Sequence, residues 1–197
     1  MGEMIKMVVV LTVLSIVSGG GLAQLKAFTE PQIENNVMNL VKGPAIRAML
    51  DEAENDPVAD RFKIKDGDTE RTVFVGIFGG KANTVVLEST ASGYGDKIGL
   101  VVGINMEDQA LAGIAVTTHK ETPGLGGEAK NNPAFAAQFK GKSIDTTIQV
   151  TTDGGEISAL SGATITSRAV CKGTMEAIAV YNTIKPQLVE KLDGMKK

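Results

Sequence analysis

The N-terminal quarter of this chain leaves little freedom. From Met7 to Leu25 no residue is charged. That run is close to the roughly 20 apolar residues a helix needs to cross a bilayer. Its first half, Met7 to Val17, is strongly apolar, and its second half holds Gly19-Gly20-Gly21. Two readings follow. One is a cleaved leader, with Lys6 ahead of the apolar run and Gly21-Leu22-Ala23 as a small-residue cleavage site. The other is a retained single-span anchor, which the length favours. The glycines then suit close approach to partner helices. The flanks, Glu3 and Lys6 before and Lys26 and Glu30 after, do not set an orientation.

Beyond the run, residues 28–56 carry helical periodicity. Thr29 and Pro31 form a start signal, and Ile33, Val37, Leu40 and Val41 share a face. Gly43-Pro44 interrupts the pattern, and Ile46, Met49, Leu50 and Ala53 resume it. This reads as a helical stalk. From Thr72 the period changes. Two pairs of β-branched runs read as hairpins: 72–78 with 84–90 across a connection at 79–83, and 98–104 with 111–118 across a polar turn. A short helix is expected over 133–140 and a last strand over 146–150. A long amphipathic helix starts near Thr164 and aligns Val170, Thr174, Ala177, Ile178, Tyr181, Ile184 and Leu188 on one face. Hairpins followed by helices give an α+β class. The expected organisation is a transmembrane anchor with its flanks at 1–27, a stalk or linker at 28–70, and an α+β domain of antiparallel hairpins with a long C-terminal helix at 71–197.

Composition narrows the chemistry. A net charge of −3, and no basic cluster interleaved with aromatics, give nucleic acid nothing to bind. The single cysteine, Cys171, excludes an internal disulfide and a cysteine-built metal cluster. The single histidine, His119, excludes a site built from several imidazoles. No catalytic residue and no metal site is expected, and redox chemistry would need a borrowed cofactor.

Two segments remain as site candidates. Ser161-Gly162-Ala163-Thr164-Ile165-Thr166-Ser167 places a tight turn and several hydroxyls at a helix start. Free N–H groups and the dipole make such a start an anion site; an ordinary cap uses the same residue types. His119-Lys120-Glu121-Thr122-Pro123-Gly124-Leu125-Gly126-Gly127 follows a strand and carries a turn signal and glycines that permit close backbone approach. Ser92-Gly93-Tyr94-Gly95 is a weaker third loop.

Taken together, the N-terminal span, Ser92-Gly93-Tyr94-Gly95, Glu121-Thr122-Pro123-Gly124-Leu125-Gly126 and Ser161 to Ser167 resemble, in order and over nearly the whole chain, the G subunit of the Rnf complex, a membrane-bound ferredoxin:NAD oxidoreductase. The chain is also similar to the C subunit of the sodium-pumping NADH:quinone reductase. The resemblance implies an FMN joined through its phosphate to the Thr164 hydroxyl by a separate flavin transferase. Ser161, Gly162, Ala163 and Thr166 would surround it. Glu121, Thr122, Gly124, Leu125 and Gly126 would lie against the ring, with Tyr94 nearby. It further implies an electron relay among the membrane and peripheral subunits of an ion-translocating complex. The domain would face the extracytoplasmic side of the inner membrane. The family commonly carries Asp three positions before the serine; here that position is Ser158. An anchored extracytoplasmic binding module, with Ser161 to Thr164 acting only as a cap, is the alternative from a different class.

Overall fold

The computed structural model describes residues 2–193 and divides into two units, Met1–Leu40 and Val41–Lys197. The first is helical. Helix α1 runs Gly2–Val37, and the apolar side chains of its span are exposed along their length. It is long and apolar enough to cross a membrane. A π-helical turn, Met38–Lys42, follows, ahead of Pro44, which has no N–H to return to the preceding turn.

The second unit is an α+β domain. Its strands β1 (Phe62–Asp66), β2 (Thr69–Phe78), β3 (Lys81–Ser92), β4 (Lys97–Asn105) and β5 (Ala110–Thr118) pair antiparallel in sequence order. The Gly79-Gly80 turn, with φ of 58° and 72°, closes the β2–β3 hairpin in two residues, tighter than the five expected. Helix α2 covers Gly43–Met49, α3 Glu128–Asn131, α4 Pro133–Ala137 and α5 Thr164–Asp193.

Alternation along the strands creates two buried faces. Val73, Val75, Val85, Leu87, Leu100 and Val102 face Val170, Ile178, Tyr181, Ile184 and Leu188 of α5 in one core. Phe74, Val86 and Val101, each fully buried, lie outside that core. Ile46, Leu50 and Val58 are buried apart from it as well. Residues 43–58 thus supply a second apolar set, in keeping with a packing role for this segment, a reading of the sequence compatible with a stalk. At Gly103 a Cβ would come within 2.6 Å of the Met49 sulfur, so the glycine lets α2 seat directly on the sheet.

Three expectations need correction. The helix read as far as Asp56 stops at Met49. The reason is at the sheet edge: β1 pairs β2 only as far as Val73, and Asn55 takes over beyond it. Its Oδ1 accepts the Ile77 N–H at 2.9 Å, and its Nδ2 donates to the Val75 carbonyl at 2.9 Å. Asn55→Ala would leave both ladder groups open. It is expected to cost about 1–3 kcal/mol, measured by urea unfolding of the full chain in detergent. Second, residues 62–66 form a strand that sequence reading missed, because it is short and carries Lys63 and Lys65 at its exposed positions. Third, residues 146–150 form no strand; only Val150 bridges Ile157. Ile148 and Val150 alternate inward as a strand would, but they reach the α5 core without a partner strand. The β5 edge beside them is already met by the 141–144 segment at Ala110 and Leu111.

Candidate functional site

The first turn of α5 is a dense set of local bonds. Ala163 is the cap, since its carbonyl accepts the Ser167 N–H at 3.0 Å. The Ser167 hydroxyl donates to that same carbonyl and accepts the Leu160 N–H, both at 3.0 Å. Gly162 turns the chain with φ of 72°, a value that favours glycine. The N–H groups of Thr164, Ile165 and Thr166 precede the first intrahelical bond and have no backbone acceptor among the described residues. They form a positive terminus of a 30-residue helix.

The loop after β5 folds against this turn. Gly127 and Leu125 donate their N–H groups to the Thr122 carbonyl at 3.0 and 3.2 Å, and Gly124 has φ of 72°. A Cβ on Gly162 would lie 3.1 Å from Leu125 Cδ2, so two loops far apart in sequence touch. Between them is a cavity of about 460 Å³ lined by Tyr94, Glu121, Thr122, Leu125, Gly126, Gly162, Ala163, Thr164, Ile165 and Thr166. Ser161 and Gly124, the other two candidate residues, are exposed and lie outside the lining. Ile165 is the lining residue that sequence reading did not select. Its signal was an apolar side chain at the exposed start of an amphipathic helix. A larger hollow of about 580 Å³ lies elsewhere, but Lys140, Lys142, Gln149 and Glu156 line it and the helix ends it meets, at Gln138 and Gly154, are C-terminal ones, which do not attract an anion.

Glu121 organises the cavity wall. Its residue is 5% exposed. Oε1 accepts the Gly95 N–H at 2.9 Å, and Oε2 accepts the Thr166 hydroxyl at 2.5 Å. One side chain thereby joins the Tyr94 loop, the loop after β5 and the first turn of α5. Lys120 adds a second tie to the Tyr94 loop through Asp96 at 2.6 Å. A Cβ at Gly126 would come within 2.5 Å of Glu121 Oε2 and 2.7 Å of Thr166 Oγ1, so only glycine leaves room for this contact.

Burial pushes the Glu121 carboxyl upward. The Thr166 hydroxyl and the N–H groups of Gly95, Tyr94 and Asp96 outweigh that and hold it below its ordinary value. A depressed carboxyl pKa contributes stability that is present above the unfolded value and is lost as pH falls through the folded one. The stability difference between the full chain and Glu121→Gln should therefore be constant near neutral pH. It should shift against the wild type on acidification below about pH 4.3, the ordinary glutamate value. Urea midpoints of both proteins between pH 7 and pH 3 measure this, and parallel profiles would refute it.

The hydroxyls in this region have different occupations. Thr166 and Ser167 are buried and donate to protein acceptors. Thr164 lines the cavity half-buried, and among the described residues its hydroxyl makes no side-chain hydrogen bond. Beside it are three free N–H groups. Leu125, Ile165 and Tyr94, 46%, 50% and 74% exposed, give the cavity an apolar rim. A phosphate at the helix start and a flat ring along that rim match these residues.

Residues 93–179 match the family model of the FMN-binding domain. The G subunit of the ion-translocating oxidoreductase complex of Pseudomonas aeruginosa is 30% identical, over 95% of this chain and 92% of that protein. The G subunit of the proton-translocating ferredoxin:NAD(+) oxidoreductase complex of Clostridium ljungdahlii is 31% identical, over 88% of this chain and 89% of that one. The fold is shared with NqrC of Shewanella oneidensis, at a TM-score of 0.53 and 24% identity over 70% of this chain and 72% of that chain. The C subunit of the Na(+)-translocating NADH-quinone reductase of Parabacteroides distasonis has a TM-score of 0.51 and 24% identity, over 58% and 62% of the two chains. The cavity lining, from Tyr94 to Thr166, falls wholly inside the segment matched by the family model.

Proposed function

The chain belongs to the family of the G subunits of ion-translocating oxidoreductase complexes, and from that premise we propose that it relays electrons through an FMN esterified to Thr164. FMN supplies a group that takes up electrons from one carrier and passes them to another. The protein's part is to hold and orient it. The free N–H groups at the start of α5 receive the phosphate, Thr164 supplies the ester oxygen, and Leu125, Ile165 and Tyr94 bed the ring. The observation that carries this reading is the Thr164 hydroxyl, unengaged and on the cavity wall beside the open helix start.

Helix α1 anchors the protein in the membrane, and the FMN domain lies on the extracytoplasmic side. A covalent bond there has a physical use: no pool of free FMN is at hand to refill an emptied site. Leu125, Ile165 and Tyr94 are exposed, so a ring held along them would be open to another carrier. The other members of the complex complete the electron path, and a flavin transferase forms the ester. Ion movement belongs to the assembled complex, since the span from Met7 to Leu25 holds no ionisable side chain.

The test uses the native host, where a transferase is present. Under denaturing electrophoresis the protein should give a fluorescent band. The peptide containing Thr164 should be heavier by one FMN less one water. A dark band with an unmodified peptide would sink the covalent reading and favour the binding module. A role in a sodium-pumping quinone reductase is the second reading, favoured by the fold shared with the two quinone-reductase proteins. Reduction of quinone rather than ferredoxin-linked NAD chemistry by the purified native complex would select it.

A further inference from the structure

Glu121 carries a charge that attachment of the flavin does not require. Its carboxylate is buried, yet no cation lies within ion-pairing distance of it among the described residues. The neighbouring Lys120 ammonium goes to Asp96, and Lys130 Nζ donates to the Thr117 carbonyl at 2.8 Å. His119 Nδ1 accepts the N–H of Glu121 itself at 3.2 Å. The Gly95 N–H and the Thr166 hydroxyl solvate the carboxylate, but neither is a counter-ion. Dipoles stabilise a charge without cancelling its field at longer range. The space around it is fitted to the carboxylate: a Cβ at Gly93 or at Gly126 would sit 2.5 Å from one of its oxygens. Glu121 is also a lining residue of the cavity that Thr164 lines.

A group in that cavity shares a poorly screened space with a fixed negative charge. Reduction adds electrons to a flavin ring, and a nearby anion opposes this. The phosphate is an anion as well, but it is the same in every Glu121 variant, so a change in potential between those variants reports the carboxylate. Resting on the reading that FMN occupies this cavity, we propose that Glu121 is a positioning residue with an electrostatic role. It clamps the Tyr94 loop to the first turn of α5, and its uncompensated charge lowers the reduction potential of the flavin.

The experiment uses the full chain, made with its flavin transferase and purified in detergent. Three readouts are needed: the fluorescent band, a potentiometric titration of the flavin absorbance, and hydrogen exchange at residues 93–96. Glu121→Gln keeps an oxygen for the Gly95 N–H and removes the charge. It should retain the label and move the oxidised-to-reduced equilibrium at least tenfold toward the reduced form. That is about 30 mV or more for a two-electron couple. Glu121→Asp keeps the charge on a shorter arm. Its equilibrium should stay within about threefold of wild type, while the Gly95 amide exchanges at least tenfold faster as the clamp opens.

A labelled Glu121→Gln protein with an unchanged potential would overturn the electrostatic role. If that variant does not fold, a tenfold shift in Glu121→Asp would overturn it equally, because geometry and not charge would then set the potential. Unchanged exchange in Glu121→Asp would overturn the clamp. An unlabelled wild-type chain is a distinguishable result: it sinks the attachment reading, while the exchange arm still tests the clamp.

Discussion

Thr164→Ala should abolish the covalent flavin completely, with no fluorescent band, while Thr166→Ala and Ser161→Ala keep theirs. Loss of an ester oxygen has no partial form, so this is the largest effect expected of any single substitution in the chain. The hydroxyls nearby differ in their geometry. Ser161 is exposed and off the cavity wall. Ser167 is buried and engaged on both sides, with Ala163 and with Leu160. Thr166 lines the cavity, but its proton is directed at Glu121. Among the hydroxyls of residues 161–167, Thr164 alone combines a place on the wall with a hydroxyl free of side-chain bonds among the described residues; Thr122 shares both properties but stands on the loop after β5 and not at the start of α5. Thr164→Ser keeps the reacting oxygen and should retain the label. Peptide mass mapping of the four variants from the native host decides the matter. A label that survives in Thr164→Ala and vanishes in Thr166→Ala would move the acceptor to Thr166 and break the argument from hydrogen bonding.

The start of α5 was legible because its signals are local: small residues at a turn, hydroxyls around it, then a helical period. The four long strands were legible for a similar reason, through runs of β-branched and apolar residues set on either side of turn signals. Residues 146–150 show where that reasoning fails. Their alternation is real, and Ile148 and Val150 are buried, but a strand also needs an open edge to pair with. Sequence pattern reports which side chains go inward, not whether a neighbour is free. The segment 43–60 failed in the opposite direction. Its apolar residues do recur at helical spacing up to Leu50, yet beyond it Asn55 leaves the helix to satisfy the edge of β2. That partner lies about twenty residues away along the chain.

The site divides in the same way. Its two segments could be found separately, and resemblance to a family joined them. The contact between Glu121 and Thr166 spans 45 positions and leaves no pattern in either segment. The only trace of it in the sequence is indirect. Gly93 and Gly126 are glycines because a side chain at either would strike the Glu121 carboxylate, and a glycine alone does not say what it makes room for.

Gly173→Val should be strongly destabilising although it lies outside the site, with a loss of about 3 kcal/mol or more in stability. Gly173 is fully inside α5, where glycine costs about 1 kcal/mol relative to alanine. The structure gives the compensation. A Cβ at this position would lie 2.3 Å from Leu100 Cδ1 on β4 and 3.3 Å from Ala91 Cβ on β3. The glycine thus lets the helix settle onto the sheet at a point where both neighbours are already buried. Gly173→Ala sets a propensity gain of about 1 kcal/mol against overpacking of about 1–3 kcal/mol, so a net loss near 1 kcal/mol is expected. Valine adds a branched side chain at the same point and has no propensity gain to offset it. Leu100→Ala alone should cost about 2–5 kcal/mol through the cavity it opens. Combined with Gly173→Ala it should cost less than the sum, since the new methyl enters the vacated space, giving a coupling of about 1 kcal/mol. Urea unfolding of the full chain in detergent measures all four proteins. Additivity within about 0.5 kcal/mol would mean that Leu100 rotates out of the way, and that the close approach of α5 to β4 does not depend on the glycine. Coupling of the expected sign would tie the seat of α5, and with it the placing of Thr164 on the cavity wall, to a single missing side chain.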